Sequence, residues 1–198
     1  MSSSDIQSTF IEAGAVDDDA ISTAATVLEN AAMVLTASPY VPDQPRKITL
    51  HSVGNSSGIT FTVVGLDETA AAATETLTGP TGGATVTSTK YYSSVTSITA
   101  VGTPTDAQKA GIAADIAAPI YRGDLRMRGM YAVNTASAGT IDFTQGSASG
   151  TSRLKFNTVA AANSTEYPDI PEDGVVFRNG GYILFDQAKL SSITVFYA

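Results

Sequence analysis

One arrangement of strand signals occurs twice in this chain, and it limits the fold more than any other feature. At residues 89–101 the aromatic stretch Lys90-Tyr91-Tyr92 passes through the polar pair Ser93-Ser94 into Val95 and Ser97-Ile98-Thr99. At residues 179–198 the order returns: Tyr182-Ile183-Leu184-Phe185, a polar break through Asp186 and Lys189, then Ser192-Ile193-Thr194-Val195-Phe196-Tyr197. A glycine-led stretch precedes each, Gly58-Ile59-Thr60-Phe61-Thr62-Val63 in one case and Gly139-Thr140-Ile141-Asp142-Phe143-Thr144 in the other. Apolar and polar residues alternate with period two in these stretches, as on a strand with one face buried. Many short strands separated by turn signals indicate a sandwich or barrel. The expected fold is therefore all-β: two tandem, related β-sandwich or jelly-roll-like modules behind an extended or partly helical N-terminal arm.

The boundaries follow from punctuation. Residues 1–45 form the arm and a connector in which Pro39, Pro42 and Pro45 stiffen the chain. Within the arm, a helix over residues 18–34 and extended chain over residues 23–37 both fit the sequence. The first module covers residues 46–102, with strands expected at 46–53, 59–63, 75–78, 84–89, 90–92 and 95–101. Residues 103–119 are rich in alanine, bounded by Pro104 and Pro119, and free of aromatics. They read as a linker or insertion holding one short helix from Thr105. The second module covers residues 120–198, with strands expected at 127–134, 140–143, 153–157, 175–178, 182–185 and 192–197.

Charge separates these parts. Asp5, Glu12, Asp17, Asp18, Asp19, Glu29 and Asp43 lie in the first 45 residues, where there is no Lys or Arg. The two modules are each balanced, so nearly all of the net charge of −8 sits on the leading segment. A nucleic-acid partner needs a basic surface, so none is expected. Only 15% of residues are charged, against about a quarter in an average soluble domain, which suits a surface partly covered by neighbours. The chain has no Cys, which excludes disulfides and thiolate chemistry. No apolar run reaches the roughly 18 residues that span a bilayer, so no membrane partner is expected. The first residues lack a basic start and an apolar core, so synthesis in a cytoplasm without a secretory signal is the expectation.

No segment presents recognisable catalytic equipment, and no cofactor or metal is assigned. His51 is the only histidine and has no Cys beside it, so it reads as a structural residue rather than a zinc ligand or general base. Residues 146–150 resemble a nucleophile elbow, but Ala148 stands where the serine belongs. Asp169, Glu172 and Asp173 make a turn that could meet calcium or serve only as a turn. Two clusters are candidates for partner contact. Asp17, Asp18 and Asp19 form an acidic triplet, either a cation or partner site or a solvated turn. Tyr121, Arg122, Arg126 and Arg128, together with Asp124, Met127, Met130 and Tyr131, form the densest charged and aromatic stretch of the body. Arg, Tyr and Met are favoured at the centre of interfaces; the competing reading is a strand with one solvated face. The pairs Tyr91, Tyr92 and Phe196, Tyr197 read as packing first and as sugar-stacking platforms second.

Residues 46–65, Glu75-Thr76-Leu77-Thr78-Gly79-Pro80 and residues 90–98 resemble a module that recurs in structural proteins of tailed bacteriophages. Residues 139–150, 170–182 and 193–197 resemble a second such module, and together they take in most of residues 40–198. The resemblance implies a non-enzymatic virion part, assembled in the host cytoplasm, with a capsid decoration or cement protein as the preferred role. Its partners would be the major capsid protein or other virion proteins, and it would form a homo-oligomer such as a trimer about a symmetry axis. A head–tail connector or tail component is the alternative. A carbohydrate-binding module for host attachment is a third reading, of a different class.

Overall fold

A computed structural model describes residues 5–171 and 173–198. The chain is all-β: no helix occurs among the described residues, and the strands belong to two sheets. In chain order they are β1 (Gln7–Glu12), β2 (Asp17–Ala25), β3 (Arg46–Ser52), β4 (Thr60–Asp67), β5 (Ala72–Thr78), β6 (Thr85–Val101) and β7 (Gln108–Tyr121). There follow β8 (Leu125–Asn134), β9 (Thr140–Gln145), β10 (Thr151–Asn157), β11 (Thr165–Glu166), β12 (Val175–Phe177), β13 (Gly181–Asp186) and β14 (Leu190–Tyr197). The chain divides into two compact units, Ala15–Ala114 and a second made of Met1–Gly14 with Asp115–Ala198. Strand β7 passes from the first into the second.

In the unit Ala15–Ala114 the strand order is β7-β3-β6-β4-β5, with β2 also paired to β7. Ile48, Leu50, Phe61, Val63, Tyr92, Val95 and Ile98 point inward and are fully or almost fully buried. Residues 26–41 cross this core without forming a strand. Val27 and Met33 turn in, and the segment is tied down by isolated bridges from Ala32 to Thr99 and from Tyr40 to Val95. Arg46 opens β3 with no exposed surface. Its guanidinium donates to both Asp43 carboxylate oxygens at 2.8 and 3.0 Å and to the Ala113 carbonyl at 3.0 Å. A buried cation is tolerated when it is paired and bonded in this way.

The other unit is a two-layer sandwich. One layer runs β1-β14-β8-β11, with β12 also on β8; the other runs β10-β9-β13 and the Asp115–Tyr121 part of β7. Ile11, Met127, Met130, Ile193 and Val195 from the first layer meet Ile116, Ile141, Phe143, Ile183 and Phe185 from the second in one core.

Three expectations need correction. Residues 103–119 are not a linker with a helix: they carry most of β7. Ala110, Gly111, Ala117 and Ala118 are small because neighbours press on the strand. At Gly111 a Cβ would lie 2.2 Å from the Asp17 carbonyl oxygen and 2.5 Å from the Asp18 Cα, so the backbone of β2 passes directly over it. The absence of aromatics thus reflects close packing rather than a loop.

The helix considered for residues 18–34 does not form, and β1 and β2 pair with β14 and β7 inside the chain. Ile11 and Ile21 are buried at 2% and 0% exposure, so hydrophobic burial outweighs helix propensity.

The repeat is one of sequence only. Residues 85–101 form a single strand without a turn at Ser93-Ser94, whereas β13 and β14 are joined by a true turn in which the Lys189 N–H donates to the Asp186 carbonyl at 2.9 Å. At Ser93-Ser94 the register with β4 shifts instead. Gly65 lets the Ser94 carbonyl come close, and the Ser93 hydroxyl donates to the Asp67 carbonyl at 2.6 Å. Polar residues that suggested a turn are absorbed by a β-bulge, which bends a strand without ending it.

Candidate contact surface

The acidic triplet opens β2. The Asp19 N–H donates to Asp17 Oδ1 at 3.1 Å, and Lys109 on the neighbouring β7 forms an ion pair with Asp18. That ammonium, hydrogen-bonded to the Asp18 carboxylate, holds its pKa below the usual value. Hydrogen bonding with Asp17, together with desolvation and the charge of Asp17, raises the Asp19 pKa. One oxygen from each of the three carboxylates lies within 4.8 Å of the others. That spacing suits a hard cation with oxygen ligands, but Asp18 is already paired with Lys109. The triplet is exposed and partly neutralised from within the chain.

The arginine cluster divides into two neighbourhoods. Tyr121 ends β7 and stacks on Tyr197, with centroids 5.8 Å apart and planes inclined by 29°. The Tyr197 hydroxyl accepts from Thr9 Oγ1 at 3.3 Å, so this aromatic pair seals β1 against the sandwich. Arg126 and Arg128 lie on the outward side of β8, whereas Met127 and Met130 point into the core and offer a partner nothing. Arg126 Nη1 donates to the Asp173 carbonyl, which anchors the loop before β12. Asp124 accepts from Arg178 at 3.2 Å and from the Asn179 N–H at 2.8 Å. Between these groups lies a shallow basin of about 260 Å³ lined by Asp124, Leu125, Arg126, Val176, Arg178 and Ala198. Arg122 follows Tyr121 in the exposed turn to β8. Much of this charge therefore serves to fix loops.

The other sequence candidates fall as follows. His51 is half-buried on β3 opposite Thr85. Residues 146–150 form the turn from β9 to β10, closed by the Gly150 N–H on the Ser147 carbonyl at 3.0 Å. Asp169 and Asp173 lie in the loop before β12, and Glu172 lies outside the described residues. Tyr92 is fully buried in the core with its hydroxyl unpartnered, and that burial, with the charge of Glu75, raises its pKa. Tyr197 is core as well, whereas Phe196 lies half-buried on the outer face of β14, over Gly129. No helix among the described residues is long and apolar enough to cross a membrane.

Sequence reasoning missed the outward aromatic pair Tyr131 and Tyr167. Their rings meet edge to face at 5.4 Å, and Tyr167 is 71% exposed. The two are 36 positions apart in the chain, so no local pattern signals the contact. Nearby is a half-open cavity of about 130 Å³ lined by Met130, Ile141, Phe156, Asn157, Thr158, Glu166 and Pro168. Comparison with known proteins adds no family: no family model matches the sequence, and no curated protein is significantly similar to it.

Proposed function

We propose that this chain is a non-enzymatic structural component of a tailed-bacteriophage virion, and that it acts as a capsid decoration or cement protein across neighbouring capsid subunits. The observation that carries this reading is the segment 26–41. Its inward residues anchor it, while Leu28, Val34 and Val41 face outward with 74%, 81% and 64% exposure. An ordered segment that holds large apolar side chains in solvent is suited to burial against another protein. The low charge of the whole chain supports the same view, as does the resemblance of residues 40–198 to phage structural modules. In this reading the two β units stand on the capsid, and residues 26–41 supply the contact.

The test is to replace Leu28 and Val34 by serine. Both are exposed, so the fold should survive, and the number of copies retained on purified particles should fall. Unchanged occupancy removes the segment from the contact. Counting copies per particle separates a decoration protein, present in many copies, from a connector or tail ring of fixed low copy number. The pair of half-buried Tyr131 and exposed Tyr167 favours a second reading, a carbohydrate-binding module, because aromatic faces stack on sugar rings. Specific glycan binding that Tyr167→Ala abolishes would promote that reading over the first.

A further inference from the structure

Edge strands differ in how they are guarded. Natural sheets blunt their edges with short strands, charge or bulges, since an open row of N–H and C=O groups recruits other strands. In the unit containing both chain ends, β11 and β12 are two and three residues long. The edge strand β10 carries Arg153 and Lys155 and a register shift between Ser152 and Leu154. Strand β1 is neither short nor bulged. It pairs with β14 in unbroken register for six residues, Gln7 opposite Tyr197 through Glu12 opposite Ser192, and its far side is the end of the sheet. It holds no Lys, Arg or Pro. Ile6 and Phe10 stand out at 68% and 61% exposure.

We propose that β1 binds the β10 edge of a second copy of this chain, in antiparallel pairing, to give a head-to-tail assembly. Charge complementarity selects the occupant. The segment around β1 is acidic through Asp5 and Glu12, so a second β1 strand alongside would offer neither carboxylate a cation. Strand β10 offers Arg153, its Lys155 being paired with Asp142 at 3.0 Å, and also lies at a sheet end. One register satisfies both faces. With Phe10 opposite Lys155 and Ser8 opposite Asn157, Glu12 comes beside Arg153, the residue at the register shift of β10. All six are exposed residues. On the other face, Ile11 then meets Leu154 and Thr9 meets Phe156, and these four are buried or half-buried. The pairing within a copy is ruled out by placement: β1 packs over β7 through the bond from Thr9 Oγ1 to the Ile120 carbonyl at 3.0 Å, while β10 lies at the opposite end of its layer, beyond β9 and β13. Different surfaces joined in this way form rings or open chains.

The inference goes beyond the virion reading and does not depend on it, because purified protein alone tests it. Sedimentation velocity on the full chain should show species larger than the monomer, rising with protein concentration and falling with added salt. Glu12→Lys and Arg153→Glu should each weaken association about tenfold, since like charges directly opposite one another are destabilising. An equimolar mixture of the two variants should restore assembly, because the reversed β1 of one variant meets the reversed β10 of the other and the unaltered β1 of the second meets the unaltered β10 of the first. Amide exchange in β1 should slow as wild-type concentration rises. A wild-type chain that stays monomeric throughout overturns the proposal, as does a mixture that associates no better than either variant. Circular dichroism of both variants checks that the fold is intact.

Discussion

Replacing Gly111 by alanine should detach the leading strand of the Ala15–Ala114 unit. The added Cβ would lie 2.2 Å from the Asp17 carbonyl oxygen and 2.4 and 2.5 Å from the carbonyl carbon and Cα of Asp18. Every one of those atoms is backbone, so no side chain can swing away, and β2 must lift from β7. Lifting exposes Ile21, which is fully buried, at about 2 kcal/mol. It also breaks the bonds from the Thr36 N–H to the Ile21 carbonyl at 2.8 Å and from Thr36 Oγ1 to the Ala20 carbonyl at 2.6 Å, at about 1 kcal/mol each. Complete detachment therefore costs about 4 kcal/mol, and a partial shift about half of that. The control is Gly58→Ala, where a Cβ meets nothing within 4 Å, and which should stay within about 1 kcal/mol of wild type. Urea denaturation of the three proteins gives the stabilities, and hydrogen exchange over residues 17–25 reports whether the loss is local. A Gly111→Ala protein within about 0.5 kcal/mol of wild type would refute the close approach of β2 to β7.

Two further outcomes follow from buried and paired charges. Tyr92→Phe removes a buried hydroxyl without a partner, so stability near neutral pH should hold or rise. Because burial raises the Tyr92 pKa above its usual value of 10.0, the unfolded chain ionises first and the folded protein loses stability as pH climbs past that value. Denaturation midpoints should show this alkaline loss reduced in the variant; an unchanged loss would mean that other groups carry it. Lys109→Met removes the cation that lowers the Asp18 pKa. The lowered pKa contributes stability that is present above the ordinary carboxylate range and fades as pH falls through the folded value. NMR titration should therefore find Asp18 shifted upward in the variant and acid destabilisation reduced; an unmoved Asp18 would contradict the pairing.

The strands with clean alternation were legible. Arg46 to Ser52, Thr140 to Phe143, Arg153 to Asn157 and Ser192 to Tyr197 all lie in strands, because each has one more buried and one more open face. Strand β7 was not, since close backbone contact at Gly111 requires the small residues that mimic a linker. The bulge at Ser93-Ser94 misled in the opposite direction: a serine that bonds across to the Asp67 carbonyl looks, in sequence, like part of a turn.

At the candidate surface, the acidic triplet and the outward placement of Arg126 and Arg128 could be read from spacing. Their occupation by Lys109 and by the Asp173 carbonyl could not, because both partners are remote in sequence. The exposed apolar residues of the segment 26–41 escaped notice for a related reason. Which of its irregularly spaced residues turn inward is decided by the sheet they cross.

The central claim is that this chain serves by binding in many copies to a particle, and a density map of that particle tests it most directly. The expected result is repeated density for two β units on the capsid surface, with residues 26–41 against the capsid. A map of purified particles that lacks such density, from virions shown to be otherwise complete, would contradict it.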